Sequence, residues 1–424
     1  MSLIETKYSE TAQVPAPLLR GQTVPPAALA NPRFSSQWTT TEKLDADFMA
    51  EWTELAAAAS EPNPFYEPHL LLPALKHLVG RDNVRILTVR DRLMANRLVM
   101  LVPLQITATY RGIPARCARP WRHIHTFLAT PLVRHGNEKD AIRGLMTHLA
   151  ADGIPLLRLH HMASDGPVNA ALRDIAEGAD TAITTTRTFE RAILKSDLDA
   201  DAYLTSSISK KKRKEYGRLK RRLADEGDVT FETPDMNDPA CVEGVVLEFL
   251  ELERTGWKGA AGTAIASRPA EARFFVDACR AAAATGNLSP LTLRLDNVPI
   301  ASIINFKGSA ARDTSLFSFK IAYDETYARF SPGVLLELEL TARALAANDI
   351  TCVDSCANPD HPMIDHLWRE RRAMQDVTLA TSKATSAALI GLTALSEKSA
   401  AATKRQIQSA AKALKKSLLK RKAA

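Results

Sequence analysis

Between Leu288 and Gly308 the chain reads LSPLTLRLDNVPIASIINFKG. Two runs rich in Leu, Ile and Val flank Asp296-Asn297, a pair that tolerates the positive backbone angles of a two-residue turn. The stretch therefore predicts a β-hairpin. Downstream, TSLFSFKIAY (314–323) reads as a third strand and DETYARFSPG (324–333) as a turn. VLLELELTARALAAN (334–348) has helical periodicity, DITCVDS (349–355) reads as a further strand, and PMIDHLWRERRAM (362–374) reads as the last helix of the body.

Upstream of the hairpin, PAEARFFVDACRAAAATG (269–286) and PACVEGVVLEFLELERTGW (239–257) read as helices, DVTFET (228–233) as a short strand, and 199–226 as one long charged helix. A Thr-rich stretch, TAITTTRTFERAIL (181–194), reads as a strand or linker, and a domain junction is expected between Thr181 and Arg191. A first unit precedes it. LDADFMAEWTELAAAA (44–59) has an Asp cap signal and helical spacing of Phe48, Trp52 and Leu55. Another helix, two strands (84–90 and 97–110), a helix (138–152) and a strand (154–162) follow. Strands mixed with helices imply an α/β or α+β layered architecture. The division by sequence is a flexible Pro- and Ala-rich leader (1–36), a first domain (37–185), a second domain (186–375) and an Ala- and Lys-rich tail (376–424).

The chain has 424 residues, 46% hydrophobic and 24% charged, which is ordinary globular composition and enough for two cores. The N-terminus lacks the basic start and apolar core of a secretory signal, and no apolar run reaches the roughly 20 residues of a membrane span. Five cysteines, an odd and scattered set, fit a reducing cytoplasm better than a disulfide framework. Cys352 and Cys356 stand alone as C-x3-C, short of the four ligands of a structural zinc site, so no metal is expected. The formal charge of +7 belongs to the tail, where ten Lys or Arg face two acids after Gln375. The near-neutral remainder, with Tyr216 the single aromatic in the basic run 210–222, argues against nucleic acid as a partner.

The text from about 190 to 375 resembles the GNAT superfamily, whose core order is hairpin, strand, turn, helix, strand. Within it, SISKKKRKEYGRLKRRL (207–223), LRLDNVPIASIINF (293–306), AYDETYARFSPGVLLELEL (322–340) and VDSCANPDHPMIDHLWRERR (353–372) resemble the CelD-like acetyltransferases of cellulose and exopolysaccharide synthesis. These are distant relatives of the Fem-type peptidoglycan aminoacyltransferases. ASEPNPFYEP (59–68) and HTFLATPLV (125–133) resemble the N-terminal partner of that branch, itself a degenerate GNAT-like domain. The resemblance implies two tandem GNAT-like domains with mixed, largely antiparallel sheets flanked by helices. It implies an acyl-CoA-dependent acyltransferase, acting with acetyl-CoA or another acyl-CoA on an amino or hydroxyl group of a sugar or glycan precursor. An aminoacyl transferase of the Fem kind and a catalytically inert accessory protein of an envelope system are the alternatives.

A helix start offers unpaired N–H groups and a positive dipole end to a pyrophosphate. ARFSPGVLL (328–336) places Ser331 at a cap, Pro332 at the first helical position and Gly333 where backbone approaches closely, with Arg329 adjacent. The segment departs from the usual Q/R-x-x-G-x-G/A pattern, because only one glycine is present. Read without the resemblance, it is equally a plain capped helix. By the same resemblance Phe317, Ser318 and Phe319 lie on the strand that parts from its neighbour and holds the pantetheine arm. They are equally ordinary core residues. Acyl transfer also needs a proton acceptor. Asp354 and His361, clustered after a strand, are the first candidates, and Tyr323 is the candidate donor to the leaving thiolate. In the tail, Ile407, Leu414 and Leu418 at helical spacing among Lys404, Lys412, Lys415, Lys416 and Lys420 to Lys422 read as a basic amphipathic helix. Such a helix contacts an anionic membrane from the cytoplasmic side.

Overall fold

A computed structural model describes residues 33–40, 43–80, 83–179, 181–385 and 387–422. The first half contains β1 (Phe34–Thr39), α1 (Ala46–Ala57), α2 (Pro68–His77), β2 (Val84–Asp91), β3 (Arg97–Thr107), β4 (Cys117–Pro120), β5 (Leu132–Val133), α3 (Glu138–Ala151), β6 (Leu156–Ala163), α4 (Pro167–Ala179) and β7 (Ile183–Leu194). The second contains α5 (Ala200–Ser207), α6 (Lys210–Ala224), β8 (Val229–Glu232), α7 (Pro239–Thr255), α8 (Trp257–Ala260), α9 (Pro269–Ala284), β9 (Leu288–Leu295), β10 (Val298–Ser309), β11 (Thr314–Tyr323), α10 (Pro332–Ala346), β12 (Cys352–Asp354), β13 (Glu370–Ala380) and α11 (Ala387–Lys422).

The hairpin that anchors the sequence reading is present. Asp296 and Asn297 have φ of 49° and 65°, as a mirror-image turn demands, and Leu295 pairs with Val298. The first half repeats the same order: β2 and β3 form a hairpin, β4 joins antiparallel, α3 crosses over, and β6 returns parallel to β4. In the second half β9, β10 and β11 are antiparallel, α10 crosses over, and β12 lies parallel to β11.

These strands make one mixed α/β sheet in the order β1-β2-β3-β4-β6-β13-β7-β12-β11-β10-β9-β8, with β5 beside β3. The middle of this order is an exchange. β7 is the last strand of the first half yet pairs with β12, and β13 is the last strand of the second half yet pairs with β6; the two also pair with each other. The expected boundaries at 185/186 and 375/376 therefore both fall inside strands. The expected last helix over 362–374 is instead a short 3-10 turn (Ile364–His366) leading into β13. From Met374 to Ala380 every residue of β13 is buried, as in a strand covered on both faces. Its sequence, ERRAMQDVTLA, mixes polar and apolar residues without strict alternation, so no strand period marks it.

Three smaller corrections concern ends and breaks. The leader expected over 1–36 lies outside the described residues up to 32, and its last residues begin β1. The long helix expected over 199–226 is broken at extended Ile208, after which the Ser209 side chain caps α6. The tail is docked at its start, where Ile390 and Thr393 of α11 are buried and Glu397 accepts from Tyr110 (2.9 Å) and Arg111 (2.7 Å).

A continuous apolar core joins the halves. Phe65 and Leu70 from the first half share it with Phe275, Phe306, Phe317 and Phe319 from the second. The halves press together at Gly308. A Cβ there would stand 2.7 Å from Pro64 Cδ and 3.0 Å from a Phe317 ring carbon. A second core lies under α5, α6 and α10, where Leu223, Phe330, Leu336 and Trp368 are buried.

Candidate active site

β11 pairs with β10 along its whole length, but with β12 only at Ser315, Leu316 and Phe317. Beyond Phe317 the two parallel strands part. β12 lies between β11 and β7 and ends at Asp354, which accepts from Arg191 of β7 (2.6 Å) and Arg372 of β13 (3.0 Å). The result is a wedge along one edge of residues 318–323, whose strand neighbour has left. At the mouth of the wedge β11 carries a bulge. Ile304 pairs with Lys320 and Asn305 with Ser318, so Phe319 is the extra residue. Ser318 Oγ is buried with no hydrogen-bond partner, and Lys258 Nζ holds the Ile321 carbonyl at 3.1 Å.

One end of the wedge is the start of α10. Ser331 has φ 53° and makes no side-chain cap bond, so the expected Ser cap is corrected: its carbonyl, not its hydroxyl, meets the N–H groups of Val334 and Leu335. The left-handed residue of the turn is thus Ser331 and not Gly333. A Cβ on Gly333 would make ordinary contacts with Ile321 and Tyr323 at 3.6 Å and with Met363 at 4.0 Å. Tyr323, Gly333 and the loop bearing His361 are therefore brought together at the helix start. His361 Nδ1 faces the N–H groups of Met363 and Ile364 at 3.4 Å, and burial lowers its pKa. Arg329 is exposed and paired with Glu226 at 2.9 Å.

The other end of the wedge is the bulge, and here the structure brings in groups that the sequence reading missed. His125, from the segment linking β4 to β5, lies 5.7 Å ring to ring from Phe319 and stacks on Phe274 at 5.5 Å. Its Nε2 is 2.9 Å from Glu271 Oε2, and its Nδ1 is buried without a partner. With Nε2–H donating to Glu271, Nδ1 carries a free lone pair. Burial, with Lys320 and Arg268 nearby, lowers His125 to about 3, so the ring is neutral at pH 7. Lys320 lies over the Phe127 ring at 5.6 Å, its pKa lowered by burial and by Lys258. The legible signal was the doublet His123 and His125 in WRHIHTF, two imidazoles in an apolar, non-helical stretch.

Asp354 is placed apart from this dyad and has a different task. It is fully buried; burial alone would raise its pKa, but Arg191 and Arg372 hold it below the ordinary carboxylate range. With both oxygens occupied, one by the two guanidiniums and one by the Cys356 N–H at 3.0 Å, it cannot take a proton from an acceptor. Tyr323 sits at the helix end of the wedge, four residues along β11 from the bulge, which is roughly 13 Å.

Residues 210–361 match the family model described as an acetyltransferase (GNAT) domain. The chain carries a GNAT-superfamily acetyltransferase domain. The structure of FemX overlays with a TM-score of 0.52 at 10% identity, covering 81% of this chain and 96% of that one, and this likeness shows the fold alone. A tandem GNAT protein from the clavulanic acid biosynthesis pathway overlays at 0.42 with 13% identity, covering 82% and 99%. The C-terminal domain of a putative lysylphosphatidylglycerol synthetase from Agrobacterium fabrum overlays at 0.48 with 12% identity, covering 84% and 96%. No curated protein matches the sequence. Among the described residues of the GNAT domain and its partner half, no cluster of His, Cys, Asp or Glu could hold a metal ion, and no helix is long and apolar enough to cross a membrane.

Proposed function

We propose that the protein is an acyl-CoA-dependent N- or O-acyltransferase, with acetyl-CoA as the first donor to test. The observation that carries this reading is the edge of β11 that β12 leaves unpaired from Ser318 onward, bulged at Phe319 beside a carboxylate-oriented histidine. An acyl-CoA fits its chemistry: the strand edge left by β12 offers backbone groups to an amide-rich pantetheine arm. The start of α10 offers the Gly333 N–H and the helix dipole to a phosphate, with Arg329 able to exchange its surface partner Glu226 for one. The thioester supplies an activated acyl carbon. His125 Nδ1 accepts the proton of the acceptor N–H or O–H as the new bond to that carbon forms, while Glu271 holds the ring and stabilises the resulting imidazolium. The carbon–sulfur bond breaks with its electron pair on sulfur.

The sequence resemblance to CelD-like enzymes supports an acceptor on a sugar, polysaccharide or envelope precursor. The basic amphipathic pattern of the tail, with Ile407, Leu414 and Leu418 at helical spacing among lysines, supports contact with an anionic membrane from the cytoplasmic side. Titration of the full chain with acetyl-CoA tests the donor: Tm rises with ligand concentration and calorimetry shows saturable heat. His125→Ala and Glu271→Gln keep that binding and lower turnover about 100-fold or more. Absence of any acetyl-CoA binding, or full turnover in His125→Ala, refutes the assignment.

A further inference from the structure

A second built site lies outside the matched domain, where β4, β6, β13 and β7 run side by side. Arg119, Arg122, Arg158, Arg187, His160 and His161 line a cavity of about 440 Å³ whose only acidic lining residue is Asp376. The strands are deformed to make it. β13 meets β6 with Gln375 opposite Met162 but Val377 opposite Leu159, and meets β7 with Asp376 opposite Arg187 but Val377 opposite Thr185. Each neighbour thus carries an extra residue at the level of Asp376. His161 is held at φ 50°, a left-handed conformation costly for a residue with a side chain, and Asp376 Oδ1 fixes it by accepting its N–H at 2.9 Å. Paired bulges re-aim side chains, and here they turn His160, His161 and Arg187 toward one cavity.

The charges are not balanced from within. Arg158 reaches Asp376 at 3.5 Å and Glu397 at 3.1 Å. Among the described residues the other three arginines have no acidic partner. Arg119 donates to the neutral Gln105 (2.7 Å), Arg122 to the Thr126 carbonyl (3.1 Å), and Arg187 lies over the Phe189 ring at 4.4 Å. His160 Nε2 and Arg158 Nε are buried without partners. Guanidinium forks converging on one polar cavity suit the oxygens of a phosphate, which they bind in pairs.

We propose that this cavity binds a phosphate ester, and that the ester is the phosphorylated end of the acyl acceptor. The second clause rests on the acyltransferase reading; the binding itself does not. The path between the sites is short. Arg122 and His123 line the cavity, the His123 ring lies 6.1 Å from that of His125, and His125 reaches Phe319 at the bulge. An acceptor held by its phosphate then presents a hydroxyl or amine one sugar ring away to His125.

Calorimetry on the full chain tests this with three probes: inorganic pyrophosphate, glucose 1-phosphate and acetyl-CoA. Pyrophosphate and the sugar phosphate bind wild type, weaken as salt is raised, and bind Arg187→Gln and Arg119→Gln at least about tenfold more weakly. Both variants keep the wild-type Tm and the acetyl-CoA heat, since Arg187 is exposed on its strand and Arg119 only half-buried. Saturating acetyl-CoA leaves pyrophosphate binding in place. Equal binding of pyrophosphate by both variants, or its displacement by acetyl-CoA at a single shared site, overturns the proposal. Pyrophosphate binding without any acetyl-CoA binding leaves the anion site standing and sinks the acyltransferase reading alone.

Discussion

Asp354→Asn separates a structural carboxylate from a catalytic one. The native side chain holds two guanidiniums from different strands, Arg191 of β7 and Arg372 of β13, and one backbone N–H, all in a fully buried setting. These are the strands through which the halves exchange, so the triad ties the sheet at its centre. An asparagine keeps the volume but leaves two buried cations against a neutral amide. Removing one member of a buried ion network costs about 3–5 kcal/mol. For a chain of 424 residues a loss of 1 kcal/mol lowers Tm by roughly 1–2 °C, so a fall of roughly 5 °C is expected. Urea unfolding followed by circular dichroism gives the free energy, and acetyl-CoA titration below the lowered Tm should show binding retained. The pH dependence has a definite sign. The folded pKa of Asp354 lies below its unfolded value, so its contribution is present above the unfolded pKa near 4 and is lost as pH falls through the folded one. A variant with wild-type Tm, wild-type acid stability and no turnover would refute this reasoning and return Asp354 to the chemistry.

Three further outcomes follow from particular contacts. Gly308→Ala puts a methyl group into Pro64 and Phe317 and should destabilise by about 1–3 kcal/mol, seen as a lower urea midpoint; an unchanged midpoint means the halves are not closely seated there. Glu337, wholly buried on α10, is pushed up to about 8, so its stabilising contribution is full below the unfolded value near 4.5 and is lost as pH climbs toward 8, at about 1.4 kcal/mol per pH unit. Tm should therefore fall from pH 6 to 8 less steeply in Glu337→Gln than in wild type, and equal slopes would refute the assignment. For the tail, truncation after Ala400 spares the docked turns that carry Ile390 and Glu397 and removes most of the basic residues. Co-sedimentation with anionic vesicles at low salt should be lost, and equal binding by both chains would end the membrane proposal, of which Leu414 and Leu418 lie outside the described side chains while Ile407 is 61% exposed.

The sequence alone determined what depends on neighbours in the chain. Asp296-Asn297 set a tight turn because short polar residues accept positive φ, and the runs on either side fixed a hairpin. The spacing of Phe48, Trp52 and Leu55 fixed the buried face of α1, and Asp45 caps it through the Phe48 N–H at 2.9 Å. The order of strand, turn, helix and strand after Thr314 was legible for the same reason, and with it the GNAT domain. What only the tertiary structure decided depends on partners far along the chain. β13 became a strand because β6 and β7 stood ready on either side; its own sequence, with Gln375, Asp376 and Thr378 among the apolar residues, carries no strand period. Asp354 looked like a base from its place after a strand, yet Arg191, 163 residues upstream, makes it an anchor. His125 became a candidate base through Glu271, 146 residues away, and the arginine cavity exists only where two bulges meet across β13. Burial and charge pairing are properties of the folded surroundings, so a one-dimensional pattern names the residue types without assigning their tasks.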